Sequence, residues 1–433
     1  MPQSGSLHPE GFLWPLSELT VDGLFGDRGR GLPLDPRLTV LTGENGSGKS
    51  TLLNAIHYFA NENWTGLFHL PMAHLRLDFE DGLFLDAQWT ADGLEVHGAD
   101  GAWYFDAEGA EEYHPQVLVD LRERRAEGGI DRIRHSGMWR GEFRYAIDPE
   151  QLEGLVAPLW LGELAERFQT KLISARRLEH RLRPDPDAAG EGAQIPVVEE
   201  FATELKDLMK TTLSAYATES RRQEKILPTK IVQAMQAGPT EDPERLNAEV
   251  GSLRADVRTL ADSLARVGLF QDEDPDHLPE YPSDDVPILL AVREVYRVTQ
   301  QRLEQLTKLR TDLQLFSDFL NERLSNKHVE LNQQFGIAVM LDSGDQIRPS
   351  QLSSGEQQLL ALAYELLFGS EPETIVLLDE PELSLHVAWL QGLLTAFSDM
   401  GDSRGLQFLI ASHSPTVLKG HQARERSLDL ESP

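Results

Sequence analysis

Apolar and polar positions change rhythm several times along the chain, and each change predicts a different element. Leu38, Val40 and Leu41 form, with Thr39, an unbroken β-type run, and Leu52, Leu53 and Ile56 then recur at helical spacing, which predicts a buried strand feeding a helix. Upstream, short apolar stretches at Phe12-Leu13-Trp14 and Leu19-Thr20-Val21 precede the turn-rich Gly26-Asp27-Arg28-Gly29-Arg30-Gly31, the pattern of an opening β-hairpin. From Phe68 to Phe105 the period is two. His74–Phe79, Leu83–Trp89 and Leu94–His97 alternate, with Asp81-Gly82, Asp92-Gly93 and Asp100-Gly101 between them, so an antiparallel meander is expected. Lys171 to Ser174 reads as a further strand, delivering Arg176 and Arg177.

After the polar loop Pro184 to Gly192 the period becomes helical. Leu246, Val250, Leu253, Val257, Leu260, Leu264 and Val267 step by alternating fours and threes, and a second amphipathic segment runs from about Ile288 to Leu324, with Leu303, Leu306, Leu313 and Leu320 near the same repeat. The acidic stretch Gln271 to Pro287 joins them. An antiparallel coiled-coil hairpin, about 30 Å long at 1.5 Å per residue, fits this pattern, and so do two helices of an ordinary bundle. Near the end, an apolar helix from Gln351 through Leu367 precedes two buried-type strands, Thr374–Leu378 and Gln407–Ser412. The expected organisation is α/β in three segments: 1–183 with the first half of a head and the meander, 184–335 as a helical insertion, and 336–433 as the second half of the head.

Composition narrows the classes. At 433 residues and 40% hydrophobic content the chain can bury more than one core. No apolar run reaches membrane-spanning length and the N-terminal MPQSGSLHPE has no leader pattern, so a soluble, cytoplasmic protein without a membrane partner is expected. The absence of cysteine excludes disulfides, a catalytic thiol and thiolate metal sites. A formal net charge of −31 opposes nonspecific attraction of the whole molecule to nucleic acid. Residues 121–144 run against that trend, with Arg122, Arg124, Arg125, Arg132, Arg134, Arg140 and Arg144 interleaved with Trp139 and Phe143. Such a run can track a nucleic-acid backbone, or it can be a solvated face.

The chemistry is concentrated at the junctions of these elements. Between the first buried strand and its helix stands Gly43-Glu44-Asn45-Gly46-Ser47-Gly48-Lys49-Ser50-Thr51, a P-loop in its required strand-to-helix context. Its glycines allow backbone N–H groups to turn onto phosphate oxygens at the positive end of the helix. Lys49 would reach the β and γ phosphates of a nucleoside triphosphate, and the Ser50 hydroxyl would hold Mg²⁺. The strand Thr374–Leu378 ends in Asp379-Glu380-Pro381, where Asp379 can help hold Mg²⁺ and Glu380 can orient and deprotonate water. The strand Gln407–Ser412 ends at His413, whose imidazole can reach the γ-phosphate. Gln351-Leu352-Ser353-Ser354-Gly355-Glu356 opens a helix with small residues and a serine hydroxyl at its positive end. Gln88 could sense Mg²⁺ and γ-phosphate or be an outward-facing strand residue; Arg176 could face a phosphate or form a salt bridge; Phe12, Trp14 and Phe25 could stack on a base or belong to the core.

The order P-loop, LSSGE, LLDEP, ELSLH and SHS resembles the ATP-binding-cassette class of ATPases, in the branch of SMC, RecF and the OLD-type bacterial ATPases. The resemblance implies a P-loop ABC-type head with ATP and Mg²⁺ as cofactors. It also implies that Ser353, Ser354, Gly355 and Glu356 cap ATP on another subunit's P-loop in a homodimer or higher homo-oligomer, and that Glu382 to His386 crosses that interface. With Lys49 and Ser353 separated by 304 positions, the layout departs from transporter ATPases. Only 20 residues follow His413, so any nuclease or toxin output is expected from a separate polypeptide. The pattern looks like the ATPase subunits of anti-phage systems of Septu and PARIS type. Two alternatives stand beside it: a RecF-like DNA-repair clamp and an ATP-dependent protein-binding scaffold.

Overall fold

The structure is a computed structural model that describes residues 15–24, 29–111, 138–140, 143–145, 152–167, 169–174, 196–236, 242–270, 285–383 and 385–428. It divides into two compact units, 1–175 with 370–433 and 176–369.

The first unit contains two main sheets. The P-loop strand β3 (Leu38–Thr42) is buried along its whole length, as a strand covered on both faces must be. It lies in a five-stranded parallel sheet of order β10-β14-β15-β3-β16, with β10 at Thr170–Ile173, β14 at Ile375–Asp379, β15 at Gln407–Ala411 and β16 at Glu425–Ser427. Because all five run the same way, the C-terminal ends of β3, β14 and β15 lie side by side, the ligand edge of such sheets.

The second sheet has order β2-β1-β4-β5-β6-β7. It joins the opening hairpin β1 (Leu16–Asp22) and β2 (Arg30–Pro33) to the meander β4 (His74–Phe79), β5 (Phe84–Trp89), β6 (Gly93–Gly98) and β7 (Gly101–Asp106), antiparallel throughout. Leu75, Leu77, Leu85, Ala87, Leu94 and Val96 form its buried face, as the alternation predicts. A short separate pair, β8 (Met138–Arg140) with β9 (Phe143–Tyr145), is the only described part of the arginine-rich stretch 121–144.

Gln407 fastens the two sheets. Its buried side chain accepts from Leu16 N at 2.8 Å and donates to Leu16 O at 2.8 Å and Asp35 O at 3.1 Å, so a polar residue inside β15 is fully satisfied by the chain beside it. Gln407→Leu is expected to lower stability by about 2–3 kcal/mol, because buried backbone groups of Leu16 and Asp35 lose their partners. A chemical-denaturation midpoint equal to that of the unaltered protein would contradict this reading.

Among the described residues the second unit begins with four helices, α2 (Val197–Gln236), α3 (Pro243–Arg266), α4 (Val286–Glu304) and α5 (Thr307–Asn321). They are followed by the antiparallel sheet β11 (Lys327–Asn332), β12 (Gly336–Leu341), β13 (Gln346–Ile347) and by helix α6 (Ser354–Leu367). The segment expected as one long helix after Ile288 breaks at Gln305 and Leu306, and α4 packs on both α2 and α3. Glu249 of α3 accepts from Arg293 at 3.3 Å and Arg297 at 2.6 Å, while Arg302 donates to Ser220 of α2 at 2.9 Å. The expected pairing of α3 with α4 is therefore present, with α2 packed on α4 as a further neighbour. Residues 336–369, expected with the second half of the head, pack in this unit, since β12 pairs with β11 and α6 packs on α2 and α5.

Candidate functional site

At the end of β3 the chain leaves the sheet through Gly43 and enters helix α1 (Lys49–Ala60) at Gly48. Gly48 has φ +95°, and a Cβ there would stand 2.5 Å from Leu24 Cδ2, so both the backbone conformation and the close approach require glycine. At Gly46, φ +86°, a Cβ would meet nothing within 4 Å, and the loop from Glu44 to Gly46 is exposed. Lys49 is buried beneath this open cradle. Its Nζ donates to Gly43 O at 2.8 Å, Glu44 O at 3.0 Å and Ser47 Oγ at 3.5 Å, which curls the loop around one positive charge. An anion seated in the cradle would meet that ammonium and the first-turn N–H groups of α1 together.

Ser50 Oγ donates to Asp379 Oδ1 at 2.8 Å, joining the P-loop helix to the end of β14. Burial pushes the Asp379 carboxyl up, as does neighbouring Glu380, against the opposing pull of the Ser50 hydrogen bond and Lys49. A hydroxyl and a carboxylate at one point are the hard oxygen donors that Mg²⁺ takes, and a cation there would relieve the cost of ionised Asp379. Glu380 follows with φ +47°, a left-handed conformation worth on the order of 1–2 kcal/mol in a non-glycine residue, and its N–H donates to Ala411 O at 2.9 Å. This turn places Glu380 Oε1 3.3 Å from His413 Nδ1 at the end of β15. A pocket of about 810 Å³ opens beside the loop, lined by Gly43, Glu44 and Asn45 on one side and His413 and Pro415 on another.

Ser353, Ser354, Gly355 and Glu356 belong to the second unit. Ser353 is the exposed N-cap of α6, and both its N–H and its hydroxyl donate to Glu356 Oε2, at 2.9 and 2.8 Å. Ser354 is also exposed, whereas Glu356 is buried and accepts from Lys327 Nζ at 3.0 Å. Burial raises the Glu356 carboxyl, but the bonds from Ser353 and the Lys327 ammonium outweigh it and hold the group below its ordinary 4.5. A depressed carboxylate contributes stability that is present above 4.5 and lost as pH falls through the lower folded value. Hydrogen-exchange protection of α6 in Glu356→Gln is therefore expected to fall short of the unaltered protein at neutral pH, with the gap closing on the acid side of 4.5. A gap independent of pH would refute the linkage.

Gln88 is an exposed residue of β5, opposite His74 and Glu95, and no described hydrogen bond joins it to the P-loop. Arg176, Phe12, Trp14 and Phe25 lie outside the described residues. Two acids that the sequence reading gave no such role stand at the site. Glu425 of β16 accepts from Thr42 Oγ1 at 2.9 Å, beside the start of the loop. Glu382, the first residue of the segment expected at a subunit interface, is buried, and its Oε1 accepts from Ser412 Oγ at 2.6 Å. The third acid in Asp379-Glu380-Pro381-Glu382 was its available signal.

Comparison with known proteins agrees with the P-loop assignment. Residues 238–419 match the family described as "AAA domain, putative AbiEii toxin, Type IV TA system", and residues 23–62 match a second AAA domain family. The lipoprotein-releasing system ATP-binding protein LolD of Novosphingobium aromaticivorans is 41% identical over 85 residues, 20% of this chain and 35% of that protein. Protein ea59 of Escherichia phage lambda is 27% identical over 142 residues, 31% of this chain and 27% of that protein. The curated relatives are matched over 4% to 37% of their own lengths. Among solved structures, an Smc head domain with an extended coiled coil from Pyrococcus furiosus aligns over 93% of this chain and 91% of its own, at 13% identity and a TM-score of 0.36. Two stretches of the chain, 23–62 and 238–419, are thus similar to AAA domains, and shorter stretches are similar to ATP-binding proteins. Among the described residues no helix is long and apolar enough to cross a membrane.

Proposed function

We propose that this P-loop ATPase holds ATP with Mg²⁺ across residues Gly43–Thr51 and the ends of β14 and β15, hydrolyses it, and assembles with further copies of itself through the bound nucleotide. The observation that carries the reading is the 2.8 Å bond from Ser50 to Asp379, which joins two motifs 329 residues apart at one edge of a parallel sheet. Lys49 and the backbone from Gly46 to Ser50 would bind phosphate oxygens, and Ser50 with Asp379 would hold the metal. Bound Mg²⁺ supplies neutralisation of phosphate charge. Glu380 orients the attacking water and accepts its proton, and His413 keeps that carboxylate aimed. The exposed Ser353 and Ser354 at the start of α6 serve the nucleotide of a second copy, as in the ABC class, so nucleotide and protein association are one equilibrium.

The output belongs to a separate effector, a nuclease or toxin, in anti-phage defence. The motif resemblance supports this, as does the toxin–antitoxin wording of the family matched at 238–419. The test is the mass of purified Glu380→Gln with and without ATP and Mg²⁺, together with the host proteins it retains. An ATP-dependent assembly holding a nuclease or toxin is expected. An ATP-dependent dimer retaining only DNA, released steeply by salt, would replace the defence reading with a clamp, and a mass unchanged by ATP would end the nucleotide-sandwich reading.

A further inference from the structure

Glu382 is a buried carboxylate three residues after Asp379, and all of its described bonds run to the end of the neighbouring strand. Its Oε1 accepts from Ser412 Oγ at 2.6 Å and from the His413 backbone N–H at 3.3 Å. Ser412 is itself fully buried, and its Oγ accepts from Ser414 N at 3.1 Å, so one carboxylate organises three consecutive residues at the point where β15 ends. The other oxygen, Oε2, is buried without a hydrogen-bond partner among the described residues. Burying a polar group in this way carries a desolvation penalty that an apolar side chain filling the same volume would avoid.

What the arrangement achieves is geometric. Glu380 and His413 sit on different strands, and their 3.3 Å approach depends on where β15 stops and how its chain turns. Backbone pairing fixes the strands only as far as Asp379 opposite Ala411, with Glu380 N bonded to Ala411 O. Beyond that point, besides the Glu380–His413 contact itself, Glu382 links the turn after β14 to Ser412 and to the His413 backbone.

We propose that Glu382 is a positioning residue: its carboxylate clamps Ser412 and the His413 N–H so that the His413 imidazole is held against Glu380. The proposal rests on the hydrolytic roles given above to Glu380 and His413, but its structural half holds without them. Removing the clamp frees the ring to leave Glu380 while Lys49, Ser50 and Asp379 stay in place. Misplacement of a reacting group by about 1 Å costs on the order of 10²-fold in rate.

Two measurements test it. In steady-state ATPase assays Glu382→Ala is expected to lose on the order of 10²-fold in kcat with KM nearly unchanged, and Glu382→Gln, whose amide oxygen can still accept both bonds, to recover most of the rate. Glu382→Ala combined with His413→Ala is expected to be no slower than His413→Ala alone, because a residue acting through His413 has nothing left to act on. A wild-type kcat in Glu382→Ala, or losses that multiply in the double variant, would overturn the proposal. The second measurement needs no turnover. The ring resonances of His413 in the nucleotide-free protein are expected to move in Glu382→Ala and return in Glu382→Gln, with the remaining histidines unchanged. An unmoved His413 signal would overturn the clamp even in an active enzyme, whereas a moved signal in a protein that never hydrolyses ATP would keep the clamp and discard the catalytic reading.

Discussion

Lys49→Ala is expected to weaken ATP binding by at least about 10²-fold and to abolish any ATP-dependent assembly. The side chain is buried and supplies three donors to the rim of the loop, so its ammonium is the fixed positive charge beneath the phosphate cradle. Charge-assisted hydrogen bonds contribute about 1.5–3 kcal/mol each, and loss of one or two of them gives a drop of that size. Alanine also leaves Gly43 O and Glu44 O without their donor, so the variant's circular dichroism and melting curve must accompany the titration. Binding of a fluorescent ATP analogue with wild-type affinity by a folded Lys49→Ala would remove the P-loop from the nucleotide site.

Glu380→Gln is expected to separate chemistry from binding, lowering kcat by about 10²–10⁴-fold while leaving ATP affinity within a few-fold. The amide keeps the size of the carboxylate and leaves Ser50 and Asp379 untouched, but it cannot accept a proton from water. His413 stands 3.3 Å from the altered group, so the variant also tests whether the pair works as one device. Hydrolysis at the wild-type rate would assign the proton to another acceptor. Slow hydrolysis together with lost ATP binding would mean that Glu380 serves the nucleotide rather than the water.

Local patterns were legible wherever one stripe or one alternation reports one environment. The meander was readable because Leu75, Leu77, Leu85 and Ala87 face a single core while Arg76, Asp78 and Asp86 face away from it, and Asp-Gly steps mark the turns. The continuous burial of β3, β14 and β15 was readable for the opposite reason, since strands covered on both faces show no alternation. The helical region was less legible. The stripe on α3 buries Leu246, Val250, Val257 and Leu264 as expected, but α4 meets two neighbours, and a heptad seam describes only one. Of the candidate site, the P-loop and the strand-end acids could be placed from sequence because each follows a buried run directly. Glu382 could not, since its role comes from hydrogen bonds to Ser412 and His413, some 30 residues away, which no local pattern reports.

The order of strands in the parallel sheet also constrains how the chain is made. β3 lies between β15 and β16, and the Leu16–Gln407 hydrogen bonds close a loop of 391 residues, whereas 176–369 is one uninterrupted stretch with its own internal contacts. During synthesis the contacts within 176–369 can therefore form while β3 still waits for β15 and β16, with Leu38, Val40 and Leu41 short of the neighbours that bury them. The nucleotide loop is made before the strands that flank it in the sheet, so the interval before β14 and β15 emerge is the period in which β3 is most open to wrong pairing.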